Sequence, residues 1–125
     1  MNQDVKEPTY SEDQVVERLA ADLPRWSLED GVIRRHFKTN GWKSALMVVN
    51  AVGHLAEAAW HHPDISVSYG SVTVSLSTHS AGGITDKDFE LAKKIEQFVG
   101  WQPGQEGGAL EGTPADPRYQ YIKYD

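Results

Sequence analysis

The chain has 125 residues, of which 39% are hydrophobic and 24% charged, and carries a formal net charge of −6. That balance suits one compact globular domain. It lacks the clustered lysine and arginine of a phosphate-binding surface, so no direct nucleic-acid partner is expected.

There are no cysteines, which excludes disulfides, thiolate metal ligands and cysteine nucleophiles. No stretch approaches the roughly 20 apolar residues of a membrane span. The first residues, MNQDVKEPTY, lack the apolar segment of a signal peptide. A cytoplasmic protein without a membrane partner is expected.

Residues 1–10 read as a mobile arm. Ser11 with Gln14 three residues on forms a capping box that opens a first helix. Val15, Val16, Leu19, Ala20 and Leu23 repeat there at helical spacing, and Pro24 stops it. Trp26 to Leu28 is a short strand. Glu29-Asp30-Gly31 is hairpin chemistry, and Val32 to Thr39 is a second strand with Ile33, Arg35 and Phe37 on one face.

Asn40 is a plausible cap for a long helix from about Trp42 to Ala59. Its apolar stripe is Ala45, Leu46, Val49, Val52, Leu55, Ala56 and Ala59. Glu57 lies four residues before His61, so the two share a face if the helix persists that far.

Two alternating runs then flank Gly70-Ser71: Ile65, Val67 and Tyr69 before it, Val72, Val74 and Leu76 after it. A glycine at the first of two turn positions signals a type II′ hairpin. In that register Tyr69 faces Val72, Val67 faces Val74, Ile65 faces Leu76 and Pro63 faces Thr78. One step further, His62 faces His79. Opposed residues have Cα atoms roughly 4.5 to 5.5 Å apart, so His61, His62 and His79 gather at the open end of the hairpin. Ser71, Thr73, Ser75 and Ser77 line the strand's other face with hydroxyls.

His79 to Gly83 is a flexible connection. Thr85 and Asp88 form a second capping box, here with aspartate, and a last helix spans Asp86 to Val99. Phe89, Ala92, Ile95, Phe98 and Val99 are its apolar face, and Gly100 closes it.

Residues 101–125 are rich in Pro and Gly but also hold Trp101, Tyr119, Tyr121 and Tyr124. Aromatics are scarce in disordered tails, so part of this segment is expected to dock on its own surface or a partner's. The order α-β-β-α-β-β-α places the chain in the α+β class, as a four-stranded antiparallel sheet with three helices on one face. The domain proper covers 11–100, followed by the tail 101–125.

The histidine cluster admits three readings. Imidazoles can give and take protons near neutral pH, which suits general acid/base catalysis. Three histidines could also hold zinc, but neighbours on a strand point to opposite faces, which makes His61 and His62 awkward ligands for one ion. The bland reading is a polar His-His-Pro turn. Asp86 has a bland reading of its own, as a helix-terminal charge opposing the dipole.

The stretch Glu57-Ala-Ala-Trp-His61-His62-Pro63, followed by Tyr69, Ser77-Thr78-His79, Gly83 and Asp88-Phe-Glu-Leu-Ala92, resembles the pterin-4a-carbinolamine dehydratase family. The likeness covers roughly residues 11–100. It implies the fold already read, assembly through the sheet edge into homodimers or homotetramers, and a specific reaction. That reaction is dehydration of 4a-hydroxytetrahydropterin to quinonoid dihydropterin, which recycles the cofactor of aromatic amino acid hydroxylases. By the same resemblance His61 and His79 act at the 4a-hydroxyl, and His62 contacts the pterin and assists proton transfer. Glu57 and Asp88 orient imidazoles or bind ring nitrogens, while Pro63, Thr78 and Ser80 line the pocket. Neither a metal nor a cofactor is implied, because the pterin is the substrate.

Two features depart from the family pattern. Trp60 stands where many members carry a polar or acidic residue, and the tail from Trp101 has no counterpart in the minimal core. Some relatives of the fold act without catalysis, as a transcriptional coactivator or a Rubisco assembly factor. A protein partner for the tail is the corresponding alternative here.

Overall fold

The structure is a computed structural model that describes residues 7–124. Its elements are α1 (Glu12–Asp22), β1 (Trp26–Glu29), β2 (Val32–Lys38), α2 (Trp42–Ala59), β3 (Asp64–Ser68), β4 (Ser71–Leu76) and α3 (Asp86–Val99). The strands form one antiparallel sheet in the order β1-β2-β4-β3. This is the expected α+β architecture. Alternation decides its two faces: Val72, Val74 and Leu76 of β4 are fully buried, and Ser71, Thr73 and Ser75 between them are half-buried.

Local chemistry sets most boundaries. Both capping boxes form, at Ser11/Gln14 and at Thr85/Asp88. Asp30 and Gly31 take φ of 51° and 78°, the left-handed pair of a type I′ hairpin. The start of α2 differs from expectation. Its N-cap is Gly41, at φ 153°, a conformation side chains rarely adopt, and no side chain caps the helix. The Asn40 backbone is committed elsewhere, its N–H donating to the Tyr121 carbonyl at 2.9 Å.

The helix stripes also shift. On α2 the buried residues are Ala45, Val48, Val52, Leu55 and Ala56, while Leu46 and Ala59 are exposed. On α3 Leu91 is buried and Phe98 is exposed.

The central hairpin corrects the register read from sequence. Ser68 faces Ser71, Val67 faces Val72 and Ile65 faces Val74, so the two turn residues are Tyr69 and Gly70. Neither has positive φ, and no type II′ turn forms. The turn is held from outside: Thr39 donates its N–H to the Gly70 carbonyl at 2.9 Å and its hydroxyl to the Tyr69 carbonyl at 3.3 Å. The register moves by two residues, an even step, so every side chain keeps its face.

The part of the arm that spans residues 1–6 lies outside the described residues. Tyr10 donates its backbone N–H to the Ile84 carbonyl at 2.9 Å. Its hydroxyl meets the Asp86 carboxylate, which Arg18 also reaches at 2.9 Å. At the other end, residues 101–124 return to the sheet. Ile122 is buried and bridges Thr39, and the Lys123 N–H donates to the Lys38 carbonyl at 2.9 Å. The aromatic tail therefore docks on its own domain.

A charged pair also ties the sheet to α3. Arg35 is buried on the helix-facing side of β2 and bonds Glu96 of α3, which also accepts the Trp26 indole N–H at 2.8 Å. The guanidinium lies 4.3 Å from the Phe37 ring centroid. Glu96 is the acceptor that Arg35 and the Trp26 indole share, so its removal leaves the indole N–H unsatisfied and weakens the tie between sheet and helix. Glu96→Ala is expected to lower the unfolding free energy by about 2 kcal/mol, measured by urea denaturation.

A second expectation concerns acid. Hydrogen bonds from Tyr10 and then Arg18 hold the Asp86 carboxyl below its usual range. A depressed carboxyl stabilises the fold above its unfolded pKa, near 4, and that contribution is lost as pH falls through the folded value. Asp86→Asn should therefore flatten the acid limb of a melting-temperature profile below about pH 4 and leave its slope at neutral pH unchanged.

Candidate active site

Asp88 is the centre of the site. As the N3 residue of α3 it accepts the Thr85 N–H on Oδ2 at 3.0 Å, closing the capping box. The glutamate usual in this motif reaches from a helix surface; Asp88 is instead fully buried. Its Oδ2 also accepts the Thr78 hydroxyl at 2.8 Å, and Oδ1 lies 2.6 Å from His61 Nε2. With its own proton committed, the Thr78 oxygen takes the Thr85 hydroxyl at 2.8 Å, and Thr85 Oγ1 accepts the Lys87 N–H at 3.2 Å. Every member of this buried chain is satisfied.

The end of α2 delivers the histidine pair. Trp60 adopts the left-handed conformation, φ 52° and ψ 46°. Backbone N–H groups of Trp60 and His61 donate to the Glu57 and Ala56 carbonyls. The left-handed residue breaks the helical phase. Glu57 consequently does not meet His61 four residues on, as expected, but His62 five residues on, at 2.8 Å from its Nε2. His61 is mostly buried against Asp88, whereas His62 and Glu57 are exposed.

His79 does not face His62, because β3 begins at Asp64 and β4 ends at Leu76. It opens a single 3-10 turn, His79–Ala81, and is exposed. The loop is tied off by the Thr78 N–H donating to the Gly83 carbonyl at 2.9 Å. What joins His79 to the pair is Thr78, its chain neighbour, whose hydroxyl bonds the carboxylate that holds His61. Ser80 is exposed and Pro63 half-buried, flanking His79 and His62 in the chain. Thr85 was not among the expected site residues, though its capping-box spacing to Asp88 was the available signal.

The other histidines lie apart. His54 is exposed on α2. His36 stands on the open sheet face between Glu29, at 2.9 Å, and Thr73, at 3.1 Å. The Ser27 hydroxyl and then His36 hold the Glu29 carboxyl low. A cavity of about 940 Å³ has Phe98, Trp101, Leu110 and Tyr119 among its lining residues and none of the histidines. Among the described residues no group of three or more His, Asp or Glu is set to hold a metal ion.

Chemically, His61 and His62 share a design. A carboxylate is acceptor-only, so each Nε2 carries its proton toward Asp88 or Glu57, and each Nδ1 is left to exchange one. The result is two oriented acid/base groups on adjacent residues, one anchored in the core and one at the surface.

The structure is thus a small α+β domain that presents two carboxylate-held imidazoles on adjacent residues. The family model for pterin 4 alpha carbinolamine dehydratase matches residues 8–98, and the chain belongs to that family. An Aquifex aeolicus protein provisionally named a pterin-4-alpha-carbinolamine dehydratase is 46% identical over 87 residues, covering 70% of this chain and 88% of that protein. A Picosynechococcus protein with the same provisional name is 46% identical over 86 residues, covering 69% and 94%. The crystal structure of a Brucella melitensis transcriptional coactivator/pterin dehydratase superposes with a TM-score of 0.65 at 32% identity, over 71% of this chain and 96% of that one. The family match stops short of the tail.

Asp88→Asn tests the geometry directly. The amide can accept from Thr78 and Thr85 only by turning its NH2 toward His61. The expected outcome is a switch of the His61 proton from Nε2 to Nδ1, read from imidazole ¹⁵N shifts, with a stability loss of about 1 to 3 kcal/mol.

Proposed function

We propose that the chain is an active dehydratase of 4a-hydroxytetrahydropterin, working in the cytoplasm to recycle the pterin cofactor of aromatic amino acid hydroxylases. The observation that carries this reading is the pair of neighbouring carboxylate-held imidazoles, His61 on Asp88 and His62 on Glu57. The reaction is an elimination without redox change. The C4a–O bond breaks, the hydroxyl takes a proton and departs as water, and the adjacent ring N–H gives up a proton as the C=N bond forms.

Two groups must therefore act, one as acid and one as base. His61 and His79 serve the leaving hydroxyl, and His62 contacts the pterin and takes part in the proton transfer. Asp88 holds His61 in one tautomer, as the carboxylate does in a hydrolase triad. Glu57 orients His62, and Pro63, Thr78 and Ser80 border the substrate. Assembly through the sheet edge into a dimer or tetramer belongs to the same proposal.

The test is a direct dehydration assay with 4a-hydroxytetrahydropterin. His62→Ala is expected to remain folded and to lose about 10²- to 10⁴-fold in rate. A wild-type rate no faster than buffer would falsify the reading.

A second reading, binding a protein partner without catalysis, is favoured by Trp42, Leu46 and Met47, all substantially exposed on α2. It predicts a specific partner in a pull-down that is lost on Trp42→Ser/Met47→Ser, with dehydration absent.

A further inference from the structure

Trp60 is in the wrong conformation for its size. Among the described residues it shares positive φ with one other non-glycine residue, Asp30. Aspartate in a hairpin turn is tolerated there; a bulky side chain is a true outlier. The usual residue at a left-handed helix end is glycine or asparagine. Burial offers Trp60 no compensation, because it is 76% exposed, more than the other exposed large hydrophobics. Its ring contact is with His62, at 5.0 Å between centroids and 81° between planes. Strained backbone and an exposed indole therefore coincide on the residue that precedes both imidazoles.

Building on the dehydratase reading, we propose that Trp60 is the stacking platform for the substrate's planar pyrimidine half. The T-shaped contact with His62 pairs an edge with a face, and the exposure leaves the indole surface open. A flat heterocycle stacks on an indole through its π-face, whatever its substituents. A ring lying parallel to Trp60 inherits the near-perpendicular relation to His62. It then does not stack on the imidazole, whose free nitrogen stays available for proton exchange. The platform selects for planar, fused nitrogen heterocycles and is indifferent to the side chain they carry. It also explains why this helix end keeps a tryptophan: the strain places a large aromatic surface beside the acid/base pair.

The experiment uses the full chain and three variants, Trp60→Phe, Trp60→Ala and Trp60→Gly. The probe is 6,7-dimethyl-7,8-dihydropterin, which has no hydroxyl to eliminate, titrated by calorimetry. Dehydration kinetics, melting temperature and oligomer size are measured beside it. Trp60→Ala and Trp60→Gly are expected to raise both Kd and KM by about 5- to 20-fold. Trp60→Phe should stay within about threefold of wild type. The kcat and its pH profile should not move in any of them. Trp60→Gly should also melt higher than wild type, because glycine relieves the left-handed backbone.

Equal affinities in all four proteins overturn the platform and leave the dehydratase reading intact. A fall in kcat with a shifted pH profile, unrescued by phenylalanine, reassigns Trp60 to holding His62 and also overturns it. A changed oligomer size with unchanged pterin affinity marks a subunit contact, with the same consequence. Failure of the probe to bind wild type overturns the platform together with the reading on which it rests.

Discussion

A fully buried carboxylate needs a hydrogen-bond partner on each oxygen, and Asp88 draws its partners from three separate pieces of chain. The end of α2 supplies the His61 imidazole, the exit of β4 supplies the Thr78 hydroxyl, and the residue that caps α3 supplies a backbone N–H. Leaving any one of these unpaired would cost the desolvation of a charged group. The three segments are therefore held in one arrangement, and the position of His61 follows from it.

Polar and apolar demands are separated cleanly around this point. The apolar alternation of β2 and β4 faces α2 and α3, and the hydroxyl-bearing alternation faces away. Arg35 is the exception. It lies among apolar residues and is matched by Glu96, which also serves Trp26. Among the described residues, buried charge thus occurs at two places with different characters. The Arg35 pair ties sheet to helix, whereas the Asp88 network ends in an imidazole that still reaches solvent. His62 and Glu57 repeat the carboxylate-imidazole motif at the surface. The tail beyond Gly100, which lies outside the residues matched by the family model, adds a docked strand-like segment and, together with Phe98 of α3, walls an aromatic cavity.

Much of the fold was legible because it rests on short-range rules. Helical spacing marked three helices, period two marked the strands, and the capping boxes at Ser11 and Thr85 gave two helix starts. The histidine motif picked out His61 and His62, each of which is held by a carboxylate. Its wiring was less legible. Glu57 was assigned to His61 by counting along an ideal helix, and the left-handed step at Trp60 gave it to His62. The His62–His79 pairing came from extending a hairpin beyond its strands and from a turn centred one residue late. Thr39, a residue remote in sequence, holds the turn that forms.

By itself, then, the sequence determined which residues form helices and strands and which faces of the strands are apolar. These depend on periodicity and on local capping chemistry, which act within a few residues. Only the tertiary structure decided the hairpin register, the glycine start of α2, the docking of Ile122 and the assignment of each carboxylate to its imidazole. Those outcomes depend on backbone groups finding partners across the fold, and the chain order does not state which partner is nearest.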